Sequence, residues 1–328
     1  MRVLSDSDYR LFERLVSLSQ KEMKKAMAQY LKAKYKNCIF TKDYLVAIGD
    51  IPIALVAHMD TVYAKPVSDL YYDQRKGVLW SPQGLGADDR AGIFAILKIL
   101  QDGYRPTVIF TTDEEKGGLG AAALADVQPC PIPNLKYMIQ LDRRGTNDCV
   151  FYDCYCPEFV DYVESFGFVE KWGSFSDISF LMPEWMICGV NLSVGYEDEH
   201  SYSEQLYIGP LFDTIKKVKK MLSETDIPDF EYDELNVATS SWWKTTDSVY
   251  GAHCNKCKGL FSEYELFPVK GLDGKRKFYC PDCIVDNVSW CEVCQEAYEI
   301  ADPSDNSKMC KECAEEICTK ISKNNSEQ

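Results

Sequence analysis

Short apolar runs alternate with helical patterns through the first two thirds of this 328-residue chain. The runs at residues 51–57, 107–112 and 137–141 are almost wholly apolar, as expected for strands that are covered on both faces. A helical pattern lies between each strand and the next, which is typical of α/β proteins. The sequence therefore predicts an α/β three-layer sandwich with a mixed or largely parallel sheet.

Further elements are predicted on both sides of these runs. Heptad-like spacing of leucine and methionine favours one amphipathic helix over residues 6–35. The other expected strands are 44–48, 76–80 and 187–195, and the other expected helices are 91–100, 118–125, 159–166 and 204–222.

The composition limits the class of protein. A hydrophobic fraction of 46% is that of a chain that buries a core. The net charge of −15 argues against nucleic acid or an anionic membrane as the main partner. No apolar run approaches the roughly 18 residues of a membrane span, and the first residues do not resemble a secretion signal. We therefore expect a cytoplasmic protein.

Polar residues at two places in the chain form patterns that suit metal ligation. His58 and Asp60 come directly after the first apolar strand, and a period of two puts them on the same side. A carboxylate beside a ligating imidazole fixes its tautomer, although this motif alone is weak evidence. Asp88 and Asp89 lie in a Gly-rich loop before a helix, where they suit either a cation or a helix N-cap.

Acidic residues also follow the next two strands. Glu114 and Glu115 lie between an apolar strand and a Gly-rich turn, and Asp142 ends the strand after that. Each alone is compatible with a solvated charge run or an ordinary loop residue. Together with His58 and Asp88, however, they are expected at the same edge of one sheet, where sites form in α/β proteins.

The combined pattern over about residues 40–222 resembles the co-catalytic di-zinc exopeptidases, a group that includes zinc aminopeptidases, peptidase T-like enzymes and carboxypeptidase relatives. The resemblance implies five metal ligands, which would be His58, Asp88, Glu115, Asp142 and His200. It implies that Asp88 bridges the ions, that Glu114 is the general base and that Asp60 orients His58. It also implies a cis peptide between Asp88 and Asp89.

The physical chemistry agrees with this resemblance. Five carboxylates in one cleft would be forced to protonate in part, and two divalent ions would neutralise most of their charge. Nitrogen and oxygen ligands suit Zn²⁺, and also Mn²⁺ or Co²⁺. Two such ions can activate a water for attack on a carbonyl, with Glu114 taking its proton. The expected reaction is hydrolysis of a peptide or small amide.

The sequence departs from parts of the family. Only 57 residues separate Asp142 from His200, too few for the lid domain of roughly 100 residues that carboxypeptidase relatives insert there. The chain thus resembles the single-domain aminopeptidases, while residues 88–92 look closer to the peptidase T-like group. Asp177 lies in a segment similar to one that lines the substrate site of aminopeptidases, and a helix cap is its alternative role.

The second feature is a cluster of cysteines near the C-terminus. Nine of the 15 cysteines lie between Cys254 and Cys318. Eight of them form four C-x-x-C pairs: Cys254 and Cys257, Cys280 and Cys283, Cys291 and Cys294, Cys310 and Cys313. These pairs predict two structural Zn²⁺ sites of four thiolates each. Sequential pairing would give zinc ribbons and is favoured over a cross-brace, and His253 is an alternative ligand.

These patterns predict four regions. They are a di-zinc peptidase-like domain (1–223), an acidic linker (224–250), a Cys-rich domain with two zinc sites (251–320) and a disordered tail (321–328). The predicted function is that of an aminopeptidase-type exopeptidase whose zinc module recruits a protein partner. The alternatives are a non-peptide amidohydrolase or deacylase, and an inactive peptidase-fold scaffold that acts through the zinc module.

Overall fold

The computed structural model describes residues 4–152, 154, 156–171, 173–232, 252–261, 266–272, 276–291, 293, 297–301, 308–311 and 313–314. The chain divides into two compact units, Met1–Lys244 and Thr245–Gln328. Within the described residues, no helix has the length and apolar character needed to cross a membrane.

The first unit is built on a mixed eight-stranded sheet. With strands numbered along the chain, its members are β1 (Asn37–Phe40), β2 (Tyr44–Ile48), β3 (Ile51–His58), β6 (Pro106–Thr111), β7 (Tyr137–Arg143), β8 (Asp148–Val150), β9 (Val169–Glu170) and β10 (Gly189–Ser193). Their order across the sheet is β1-β2-β6-β3-β7-β10-β8-β9. A second, antiparallel sheet contains β4 (Tyr71–Asp73), β5 (Val78–Trp80), β11 (Tyr196–Glu197) and β12 (Gln205–Tyr207).

Helices cover both faces of the main sheet. They are α1 (Asp6–Val16), α2 (Gln20–Lys34), α3 (Ala87–Gln101), α4 (Leu119–Ala125), α5 (Pro157–Ser165), α6 (Asp177–Trp185) and α7 (Ile208–Leu222). Helix α3 packs on the central strands together with α1 and α7, whereas α6 packs on those strands with α4 at its side. The predicted three-layer α/β sandwich with a mixed sheet is therefore confirmed.

The four central strands determine where a site can form. Strands β6, β3, β7 and β10 are neighbours and run parallel, so their carboxyl ends meet at one edge. His58 of β3 pairs with Thr111 of β6, and Val56 pairs with Gln140 of β7. His58 and Asp142 are each two residues beyond that last pair, on adjacent strands. The side chains that follow these strands are thus brought together.

Several element boundaries differ from the sequence-based expectation. The single helix expected over residues 6–35 is two helices, because Ser19 begins a new one. The Ser19 side chain accepts from the Glu22 backbone N–H, and the Glu22 carboxylate accepts from the Ser19 N–H, which forms a capping box. The closing helix begins at Ile208 rather than residue 204, because β12 occupies the preceding residues.

The start of the predicted linker packs on the first unit. The Phe230 ring lies 4.8 Å from that of Phe159 and 5.2 Å from that of Tyr162, measured between centroids. Tyr232 is buried in the same apolar core. Residues 233–250 of the predicted linker, and the predicted tail at 321–328, lie outside the described residues.

The second unit contains a short ribbon and a small sheet. The ribbon is β13 (Ala252–His253) with β14 (Leu260–Phe261). The sheet has the order β16-β15-β18-β17, with β15 (Phe267–Lys270), β16 (Arg276–Tyr279), β17 (Val288–Trp290) and β18 (Ala297–Glu299). Helix α8 (Pro281–Asn287) connects β16 to β17. Glu299 accepts hydrogen bonds from Tyr279 and Lys277 within this sheet.

The packing of Phe230 gives a stability prediction. Phe230→Ala should lower the unfolding free energy of the first unit by about 2 kcal/mol, because it removes a half-buried ring from an aromatic cluster. Leu119→Ala is the control, since Leu119 is 52% exposed and should change little. Urea unfolding of both variants measures the difference. Equal stability of Phe230→Ala and the wild type would show that the Phe230 ring does not stabilise the unit.

Candidate metal centre and active site

The structure brings the sequence-predicted ligands to one edge of the main sheet. His58 ends β3, Asp142 lies near the end of β7, and Glu115 lies in a 3-10 helix (Glu114–Lys116) that follows β6. Asp88 is at the irregular start of α3, and His200 lies in the loop between β11 and β12.

Three of these residues form a first group of possible ligands. His58 Nε2 lies 2.9 Å from Asp88 Oδ1 and 3.6 Å from Asp142 Oδ1. His58 is fully buried, and all three ligand atoms lie within 4.8 Å of one another. One imidazole nitrogen and two carboxylate oxygens at this separation are a suitable donor set for a divalent transition-metal ion.

A second group uses the other oxygen of the same aspartate. His200 Nε2 lies 3.3 Å from Asp88 Oδ2 and 3.1 Å from Glu115 Oε2. Among the residues that the structure describes, the buried Glu115 Oε1 has no hydrogen-bond partner, which leaves it available to a cation. Asp88 is thus common to both groups and turns one oxygen to each, so the side chains fit a pair of metal ions.

The electrostatics of the centre favour a bound cation. Burial raises the pKa of Glu114 and of Glu115, and burial together with nearby Asp88 raises the pKa of Asp142 to about 7. His200 has its pKa raised to about 11 by hydrogen bonds to Asp88 and Glu115. The raised pKa values mean that the carboxylates and imidazoles retain protons because of one another's charge. Bound metal ions would replace those protons.

Asp60 holds three parts of the centre together. One carboxylate oxygen, Oδ1, lies 3.3 Å from His58 Nδ1 and accepts the Glu114 backbone N–H at 3.1 Å. The other, Oδ2, accepts the Glu115 N–H at 3.1 Å. The buried Arg90 donates to the Asp60 and Met59 carbonyl oxygens. Asp60 therefore orients the imidazole and also the 3-10 helix that carries both glutamates.

Asp142 is oriented by its own set of donors. Its Oδ2 accepts from Ser176 Oγ at 2.8 Å and from Gln140 Nε2 at 3.1 Å. The Tyr196 hydroxyl donates to its Oδ1 at 3.2 Å. Asn191 accepts the Asp142 backbone N–H. These bonds fix a carboxylate that would otherwise be free to rotate at the strand end.

The start of α3 is adapted to the site. The Asp88–Asp89 peptide is cis, as the family resemblance implied. The Asp89 carboxylate accepts the His58 N–H at 3.2 Å and the Gly92 N–H at 2.8 Å. A Cβ at Gly92 would lie 2.1 Å from the Leu141 carbonyl oxygen, so only glycine allows this close approach of α3 to β7.

Asp177 does not occupy the helix-cap position that was its alternative role. Ser176, not Asp177, is the N-cap of α6. Asp177 is fully buried, and its Oδ2 accepts from Thr111 Oγ1 at 2.6 Å. Its Oδ1 has no partner among the described residues. The helix-cap alternative is therefore wrong, while a substrate-binding role for Asp177 stays a prediction.

The cysteines of the second unit form two groups. Cys254, Cys257, Cys280 and Cys283 place their sulfur atoms within 4.8 Å of one another. Cys291, Cys310 and Cys313 form the second group. Their expected fourth member, Cys294, lies outside the described residues, as does Cys318. The first pair is thus grouped with the second, in agreement with sequential pairing. The His253 side chain is not among those described.

Comparison with solved structures agrees with the fold of the first unit. Similar solved structures include a tripeptidase from Staphylococcus aureus subsp. aureus Mu50, which is 15% identical with a TM-score of 0.53 over 66% of this chain and 97% of that chain. Another is the aminopeptidase PepT from Bacillus cereus, at 15% identity and a TM-score of 0.48 over 64% of this chain and 96% of that chain. The first of these shows the fold. No curated protein matches the chain in sequence.

Residues 46–155 match the model of peptidase family M28. The match covers about a third of the chain and, together with the fold, is consistent with the resemblance to the co-catalytic zinc exopeptidases. The match indicates a metal-dependent peptidase, and the matched family implies peptide substrates. The matched segment carries His58, Asp88, Glu114, Glu115 and Asp142, which are the residues that meet at the sheet edge.

Two residues beside the centre were not predicted from the sequence. Glu204 is only 1% exposed, and its Oε1 accepts the Asp88 backbone N–H at 3.1 Å. The Tyr63 hydroxyl donates to Glu204. The one available signal was the position of Glu204, an acid four residues after His200. No pattern in the sequence indicated Tyr63, because its partners are far away along the chain.

The contacts of Asp60 give a prediction for the metal centre. Asp60→Asn should lower metal affinity or activity by about 10- to 100-fold, because an amide offers one acceptor where the carboxylate serves two N–H groups and an imidazole. Asp69→Asn is the control, since Asp69 is exposed and its carboxylate bonds to Ser68 and Gln83, neither of which is a candidate ligand. Chelator competition against Zn²⁺ measures the affinity. Unchanged affinity and activity would contradict the orienting role.

Proposed function

We propose that the first unit binds two divalent ions, most readily Zn²⁺, and cleaves the N-terminal residue from peptides. His58 and Asp142 would hold one ion, Glu115 and His200 the other, and Asp88 both. The position of Asp88 carries this proposal, because its two oxygens face two separate sets of ligand atoms. A single-ion site would have no use for the second set.

Glu114 is proposed as the general base. When bound, the ions would polarise the scissile carbonyl and lower the pKa of a water molecule. Glu114 is 8% exposed, and its Oε2 lies 3.9 Å from His58 Nε2, close to the first ligand group. Its carboxylate would take the proton of the attacking water and pass it to the leaving amine. Burial raises the pKa of Glu114, which suits a group that both takes and gives a proton.

Aminopeptidase action is favoured over deacylation by the short distance along the chain between Asp142 and His200. The described residues between them form the short strands β8, β9 and β11 together with β10, α5 and α6, and the 57 residues are too few for an inserted domain of roughly 100 residues. This is the organisation of the simpler aminopeptidases that the sequence resembles. Amino-acid anilides should therefore be cleaved in preference to N-acyl amino acids, which a deacylase would prefer.

Each cysteine group of the second unit is proposed to bind one Zn²⁺. Four sulfur atoms within 4.8 Å of one another suit tetrahedral coordination, and Cys294 would complete the second group. The unit would then contact a protein partner rather than take part in catalysis. The location of the protein in the cytoplasm also remains a prediction.

The base has a direct test. Glu114→Gln should lower kcat by at least about a hundredfold, because the amide cannot accept the proton. The zinc content should stay as in the wild type, since Glu114 is not a ligand in this proposal. Hydrolysis of an amino-acid anilide and elemental analysis measure the two quantities. Glu158→Gln, at an exposed position, is the matched control.

The results separate the proposal from its rivals. Wild-type activity in the Glu114→Gln variant would refute the role of Glu114. A wild-type chain that binds the ions but cleaves neither anilides nor N-acyl amino acids would favour the scaffold alternative.

The thiolate sites have their own test. Cys283→Ser should remove one Zn²⁺ per chain and unfold the second unit, because such small units obtain folding energy from metal binding. Cys130→Ser is the control, since Cys130 belongs to neither cysteine group. Elemental analysis and limited proteolysis report the outcome. An intact second unit with unchanged zinc content would rule out a structural metal at the first group.

A further inference from the structure

We infer that Tyr63 and Glu204 form a positioning pair that ties together the two loops carrying Asp88 and His200. The inference rests on the proposed function and extends it to residues that are not ligands. We expect the pair to affect binding of the ion held by Glu115 and His200 more than binding of the ion held by His58 and Asp142.

Glu204 binds the backbone at the start of α3. Its Oε2 accepts the Gly86 backbone N–H at 2.8 Å, and its Oε1 accepts the Asp88 N–H at 3.1 Å. Two main-chain groups on either side of Ala87 are thus fixed by one buried carboxylate. Because the second of them belongs to Asp88, Glu204 sets the position of the shared ligand itself.

Tyr63 connects that loop to the segment of His200. Its hydroxyl lies 2.6 Å from the Ser201 carbonyl oxygen and 3.0 Å from Glu204 Oε2. A hydroxyl has a single hydrogen, so its oxygen sits between two acceptors and shares that hydrogen between them. Ser201 directly follows His200, so Tyr63 fixes the backbone that carries the histidine.

The loop is shaped to seat the Tyr63 ring. Gly84 has a φ of +85°, and a Cβ at this position would lie 2.0 Å from the ring atom Cε1. A side chain on residue 84 would therefore displace the ring. The close fit between Gly84 and Tyr63 supports a defined position for the ring.

The two ions depend on this pair to different degrees. His58 and Asp142 of the first group lie in adjacent strands of the main sheet, whose ladder fixes them. His200 lies in a loop with a φ of +59°, and its side chain is 33% exposed. Loosening Tyr63 or Glu204 should therefore weaken the second group, of which His200 is a member, more than the first.

The test measures zinc binding by the full chain. Tyr63→Phe, Glu204→Gln and the double variant are dialysed against a graded series of chelator concentrations, and retained zinc is counted by elemental analysis. The cysteine groups are the same in all variants, so differences from the wild type report on the first unit. Tyr35→Phe is the matched control, because it removes one buried hydroxyl bond, to the Pro106 carbonyl, far from the ligands.

The pair predicts that Tyr63→Phe and Glu204→Gln each weaken the more weakly held ion of the first unit by about 10- to 100-fold. The other ion should be weakened less, because its ligands His58 and Asp142 lie in strands of the main sheet, and the Tyr35→Phe control should remain within about twofold of the wild type. The effects of the two substitutions should be less than additive, since they remove a shared hydrogen bond. If Glu204→Gln fails to fold, Tyr63→Phe and Gly84→Ala test the same contact.

Two results would overturn the inference. One is equal weakening of both ions, which would indicate a general loss of stability. The other is wild-type affinity in Tyr63→Phe despite two bound ions in the wild type. A wild-type first unit that binds no ion would instead refute the proposed function, so the two failures are distinguishable.

Discussion

The repulsion among buried carboxylates is the constraint on which the rest of the site depends. Asp88, Glu114, Glu115 and Asp142 lie within reach of two imidazoles at one sheet edge, and burial raises the pKa of three of them. Such a cluster is unfavourable as a set of free anions. Two divalent ions would relieve the repulsion, and the shared position of Asp88 accounts for both of them with a single bridging residue.

The fold positions these side chains in two ways: some lie on strands of the main sheet, and the others lie in loops that are fixed by hydrogen bonds. Parallel neighbours β3 and β7 deliver His58 and Asp142 in register. Asp60, Tyr63 and Glu204 then fix the segments that no strand ladder holds. The centre is therefore supported by hydrogen bonds to backbone groups as much as by the ligand side chains, and this explains why so many polar residues behind it are buried.

The candidate ligands could be predicted from the sequence, but the residues that position them could not. His58, Asp88, Glu115, Asp142 and His200 were predicted as ligands because the combined pattern resembles the co-catalytic di-zinc exopeptidases, and the structure brings them together. Glu204 and Tyr63 were missed because their role depends on contacts across 141 residues of sequence, which no local pattern encodes. The break at Ser19 was a local signal, a capping box, that the leucine and methionine spacing obscured. The packing of Phe230 could not be predicted, because its aromatic partners come from distant elements.

The most direct measurement is anomalous diffraction at the zinc edge from crystals of the full chain grown with Zn²⁺. The account predicts two peaks in the first unit, one on each side of the Asp88 carboxylate, with His58 and Asp142 at one peak and Glu115 and His200 at the other. A single peak, or peaks that do not contact Asp88, would contradict the shared-ligand centre.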